Sequence, residues 1–200
     1  IEAMQVDGVE CLSPQTALKY FGILRSLFEW CVSEDYIQHN PFAKLKISVE
    51  KKQHEQKRAA FTPEQARKIH AAVLKEDKHY RRWGTLIGMY TGARLNEVCQ
   101  LLLDDIQEQG GIWYFNMNDA GDNQRLKTAA AKRLVPVHKA LLELGLIEEV
   151  KRLRKRGDTR FLYELTYCPK NGYGKKLGHY FNQTLLPRLF ASKRRSEDRR

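Results

Sequence analysis

Two short β-prone runs, residues 112–117 (IWYFNM) and 133–137 (RLVPV), interrupt a chain whose other apolar residues recur at three- and four-residue steps. Gly110-Gly111 introduces the first run, and a polar stretch precedes the second. Together they predict an antiparallel strand pair joined by a mobile loop from Asn118 to Lys132. One such pair among helices points to a mainly α fold with a small antiparallel β-sheet, an α+β architecture.

The helical segments carry their own start and stop signals. Ser13-Pro14 opens a helix whose face holds Leu18, Phe21, Leu24, Leu27 and Phe28; it ends near Asp35, before a turn at Asn40-Pro41. Thr62-Pro63-Glu64 starts another, with Thr62 as cap and Ile69, Val73 and Leu74 as its apolar face. Further helices are expected over 81–90, 93–103, 138–154 and 177–190, with Pro187 stopping or kinking the last. Residues 49–60 (VEKKQHEQKRAA) are charged and aperiodic, which marks a linker. The organisation is thus an α-helical unit over 1–48, a linker over 49–60, a larger unit over 61–190 and a basic tail over 191–200.

The 35 Lys and Arg face only 24 Asp and Glu, a net charge of +11, so a polyanion is the natural partner. The basic residues are spread along the chain and form no single amphipathic basic helix, which favours nucleic acid over a membrane surface. No apolar run reaches the ~20 residues that span a bilayer. Cys11, Cys31, Cys99 and Cys168 are far apart and form no Cys-x-x-Cys pair, and the histidines have no metal-ligand spacing. A reducing, cytosolic compartment, with cysteines at core or neutral positions and no metal site, is expected. The charge-dense 151–156 (KRLRKR) and 192–200 (SKRRSEDRR) read first as solvated surface and second as contacts to a nucleic-acid backbone.

Residues 91–106, TGARLNEVCQLLLDDI, hold the most specific pattern. With Thr91 as helix cap, Arg94 falls in the first turn, where free N–H groups and the helix dipole favour an anion, and its planar fork suits a phosphate. Glu97 lies on the same face and can orient that guanidinium. As an isolated pair the two would more often be a surface ion pair. The whole string resembles the first signature box of the tyrosine recombinases, the phage integrase family, in Thr91, Gly92, Arg94, Glu97, Leu101 or Leu102, Asp105 and Ile106.

Two further stretches are similar to that family in order and distance. Leu126-Lys127-Thr128 and the run from Lys132 to His138 (KRLVPVH) resemble its β-hairpin, which makes Lys127 the candidate active-site lysine, with Lys132 as its competitor. Residues 13–42 are similar to the last helices of its core-binding domain, so the resemblance covers about residues 13–190.

The resemblance implies a protein that clamps double-stranded DNA between two domains, works as a tetramer on DNA, needs no metal or nucleotide cofactor and resides with the nucleoid in a bacterial or phage setting. In the family a tyrosine attacks the scissile phosphate to form a 3'-phosphotyrosyl intermediate. Arg94 would stabilise the charge that builds on the phosphate, and Lys127 would protonate the 5'-oxygen leaving group. Lys57 and Arg58 in the linker and Arg133 in the hairpin are further candidates for DNA-backbone contacts.

The family's His-x-x-Arg box and its later tyrosine are not found after the hairpin. His79 to Arg82 precedes Arg94 and stands in the wrong order; Tyr167, Tyr173 and Tyr180 lie too early to be the nucleophile and read as core or surface aromatics. With Ile1 as its first residue, the chain reads as a piece of a longer protein that binds DNA but does not cut it alone. Two other readings compete: a non-catalytic DNA-binding module or regulator derived from an integrase, and an unrelated basic RNA-binding protein, which should prefer RNA over duplex DNA.

Overall fold

The computed structural model describes residues 12–45 and 60–190. The chain divides into two compact units at Ala60 and Phe61. The expected linker, with Lys57 and Arg58, and the basic tail lie outside the described residues, apart from Ala60.

In the smaller unit, helix α1 spans Pro14–Ser33. Ser13 caps it, its Oγ accepting the Thr16 N–H at 3.2 Å, and Pro14 fills a first-turn position that needs no N–H partner. The Asn40-Pro41 turn then folds back: Asn40 Nδ2 donates to Glu29 Oε2 at 2.6 Å and Arg25 O at 3.0 Å, and Phe42 packs on Phe21 and Phe28. The apolar face expected of α1 is only partly covered. Leu18, Leu24 and Leu27 stay 43%, 42% and 51% exposed, because the one helix and turn among the described residues of this unit cannot enclose a whole helix stripe.

The larger unit contains α2 (Pro63–Val73), α3 (His79–Thr91), α4 (Leu95–Cys99), β1 (Ile106–Gln109), β2 (Ile112–Met117), β3 (Arg133–Pro136), α5 (Lys139–Glu143), α6 (Leu146–Arg156), α7 (Lys175–His179) and α8 (Leu186–Phe190). α2 begins with the expected Thr62 cap, completed as a reciprocal box by Gln65. The expected 138–154 helix is two helices, because Gly145 takes φ 86° between α5 and α6. Between α7 and α8 the chain stays helical but widens into π turns over Tyr180–Leu185, so Pro187 is accommodated by a change of helix pitch just before it.

The antiparallel sheet has three strands in the order β1-β2-β3. Pairing of the two predicted runs is observed, with Phe115 opposite Val135 and Met117 opposite Arg133. β1 was not expected. It pairs with β2 through a two-residue turn in which Gly110 and Gly111 both have positive φ, 59° and 77°, the geometry that matches strand twist. Alternation turns Phe115 and Met117 inward, onto a core that includes Ile69, Leu86, Ile87, Val98, Leu141, Val150, Leu153 and Phe161. Cys99 is buried in that core, and burial pushes its thiol up to about 12, so it behaves as a small hydrophobe. Among the described residues no His, Cys, Asp or Glu cluster could hold a metal ion, and no helix is long and apolar enough to cross a membrane.

Candidate functional site

The route from α3 to α4 sets the position of Arg94, and it differs from the expectation. Thr91 does not cap the helix that follows; it is the last residue of α3, where its Oγ1 donates to Ile87 O at 2.6 Å and accepts the Ala93 N–H at 3.2 Å. Gly92 then reverses the chain with φ 62°, a conformation a Cβ would disfavour. Arg94 is the N-cap of α4, one residue before the helix proper, and α4 has only five residues instead of the eleven expected over 93–103. So short a helix supplies little dipole, and no helix field prepares this position for an anion.

Glu97 orients Arg94 instead. Its carboxylate is 2% exposed and accepts from the Arg94 N–H at 3.1 Å, Arg94 Nη1 at 2.7 Å and Arg133 Nη2 at 2.8 Å. Burial alone would raise its pKa, but the bonds from Arg133 and Arg94 outweigh that, so its carboxyl is held below the usual range. With the acid spent inside, the Arg94 side chain remains 56% exposed and offers its other N–H groups outward.

Arg94 stands where two open hollows meet. One, of about 580 Å³, is lined by Arg94, Asn96, Arg125, Lys127, Asn171 and Lys175 among others. The other, of about 480 Å³, is lined by Gly92, Arg94, Thr128, Ala130, Ala131 and Arg133, with Glu97 at the base of both. Arg94 and Lys127 are therefore brought to one concavity from separate parts of the unit. Lys132, the competing lysine, is paired with Asp119 at 2.7 Å and lines neither hollow. Arg133 also donates to Ala131 O, so two protein acceptors engage its guanidinium while its side chain is 36% exposed.

The loop that carries Lys127 is tied down near its middle by a buried polar network, although the sequence suggests mobility throughout. Gln124, 6% exposed, donates to Gln100 O at 3.1 Å and Asp105 Oδ2 at 2.8 Å; Asp105 also accepts from Asn118 Nδ2 and the Leu102 N–H. Gln100 closes the network, its Nε2 donating to Asn118 O and its Oε1 accepting the Arg125 N–H. Sequence reasoning missed Gln100 and Gln124. Gln100 carried one signal, an amide between Cys99 and Leu101, whereas Gln124 lies among Asp122, Asn123 and Arg125 and reads as part of a solvated loop.

No protein-family model, curated protein or solved structure matches the chain.

The remaining candidates lie away from the hollows. His79 sits at the start of α3, its Nε2 2.8 Å from Glu149 Oε1 and its ring against Phe161 and Tyr163. Tyr173 and Tyr180 are buried in the core and Tyr167 packs on it. Among the described residues no tyrosine or histidine lines either hollow.

Proposed function

We propose that the concavity around Arg94 binds the phosphates of double-stranded DNA, and that the chain is part of a site-specific tyrosine recombinase of the phage integrase type. The observation that carries the reading is the convergence of Arg94 and Lys127 on one open hollow, with the nearest carboxylate, Glu97, buried and already paired. A guanidinium fixed by a buried acid is preorganised for a phosphate and loses little freedom on binding one. In a complete active site Arg94 would stabilise the phosphorane-like charge and the Lys127 amine would protonate the leaving 5'-oxygen. The attacking hydroxyl comes from outside these hollows, so the chain by itself holds DNA and does not form the phosphotyrosyl bond. The tetramer on DNA belongs to the same proposal.

The test is binding to a labelled duplex across a salt series. R94A and K127A each lower affinity and reduce the slope of log affinity against log salt by about one, whereas K132A changes the slope less because its amine is held by Asp119. Unaltered binding by both R94A and K127A would leave only a dispersed, non-catalytic DNA-binding module. Preference for an RNA of equal length over the duplex would reject both readings.

A further inference from the structure

The larger hollow has a wall that the Arg94 and Lys127 pairing does not use. It is formed by Asn171, Gly174, Lys175 and Gly178, at the start of α7 and the loop before it. This wall is held directly against the segment that carries Arg94. Asn96 Oδ1 accepts the Gly174 N–H at 2.9 Å, and a Cβ at Gly172 or Gly174 would stand only 2.7 or 2.8 Å from the Asn96 amide. Glycine at both positions lets the loop lie flat on Asn96, two residues from Arg94. The loop closes on itself as well, with the Gly172 N–H donating to Cys168 O at 2.7 Å and the Cys168 N–H to Gly172 O at 2.9 Å.

The two lysines that follow are used differently. Lys176 donates to Glu164 O at 3.1 Å and lies over the Tyr80 ring, outside the hollow. Lys175 is exposed, lines the hollow, and makes no ion pair or hydrogen bond with any described residue. Arg125, on the loop wall, is exposed in the same way. Arg94, Arg125, Lys127 and Lys175 thus surround one concavity whose sole carboxylate among the described residues is already shared by two arginines. More positive charge is gathered there than a single phosphate neutralises.

We propose that Lys175 is a DNA-binding residue that holds a second phosphate of the same strand, next to the one at Arg94. The inference rests on the reading of the Arg94 concavity as a DNA-phosphate site. It extends that site to the α7 side of the unit and makes the bound element a run of strand instead of an isolated anion.

The experiment compares K175A, K175R, K176A and R94A of the full chain on one labelled duplex across a salt series. K175A is expected to weaken binding roughly fivefold at moderate salt and to reduce the salt slope by about one. K175R restores both, and K176A, which removes the same charge one residue away, leaves the slope unchanged. The loss in K175A is the same on duplexes of unrelated sequence, as a phosphate contact requires. Equal effects of K175A and K176A would reduce the matter to net charge and overturn the proposal. Normal binding by K175A with weakened binding by R94A overturns the second phosphate and leaves the Arg94 site intact; normal binding by both removes the site and the inference together.

Discussion

Arg133 Nη2 reaches from β3 to Glu97 at 2.8 Å, across 36 residues of sequence, and so shares with Arg94 the one buried carboxylate of the site. This bond ties the hairpin to α4. It also makes Arg133 a residue that holds Arg94 in place through Glu97.

Removing Glu97 leaves two guanidinium groups facing each other without their acid. E97A is expected to lower the unfolding free energy by about 2 kcal/mol, below the usual cost of breaking a buried pair because both arginines can turn to water. Urea denaturation measures this. Because folding holds the Glu97 carboxyl below its ordinary value of 4.5, its contribution is present above that pH and is lost as the pH falls below it through the folded value. E97Q should flatten that acid limb of the stability curve; an unchanged limb would mean that the acid sensitivity comes from other carboxyls.

Gln124 bridges the Lys127 loop to Gln100 and Asp105. Q124A leaves buried acceptors unpaired, with a cost of about 1–3 kcal/mol. It should also speed amide hydrogen exchange at Arg125, whose N–H is held by Gln100. Exchange at the wild-type rate in a destabilised Q124A protein would show that the network stabilises the core without fixing the loop.

His79 answers a different pH range. Burial lowers its pKa from 6.5 and outweighs the attraction of Glu149, which is also bonded to Arg152; the ring is neutral at pH 7 despite lying at ion-pair distance from an acid. Unfolding lets the ring take up a proton, so stability is full above 6.5 and declines as the pH falls below it toward the folded value. Thermal melts of H79Q between pH 7 and pH 5 should show a shallower decline than wild type, and a parallel decline would assign the effect elsewhere.

Local signals were legible where one segment decides its own conformation. The caps at Ser13 and Thr62, the arrest of α3 at Gly92 and the pairing of residues 112–117 with 133–136 all follow from short-range chemistry. β1 was not, since IQEQ has no marked strand propensity and becomes a strand by pairing with β2. The helix over 93–103 failed for a similar reason. Its apolar spacing suits a helix, but past Cys99 the chain is drawn into other bonds: the Leu103 N–H donates to Thr159 O and the Phe161 N–H to Leu101 O, while Asp105 is taken up by Gln124 and Asn118.

By itself the sequence determined where several helices begin, the pairing of residues 112–117 with 133–136, and an excess of positive charge. Only the tertiary structure decided which cation faces the hollow and which is occupied elsewhere: Lys127 over Lys132, Lys175 over Lys176. The reason is that a cation is directed by the acceptor it meets, and the Asp119 carboxylate, the Glu164 backbone carbonyl and the Glu97 carboxylate meet theirs only once the chain has folded.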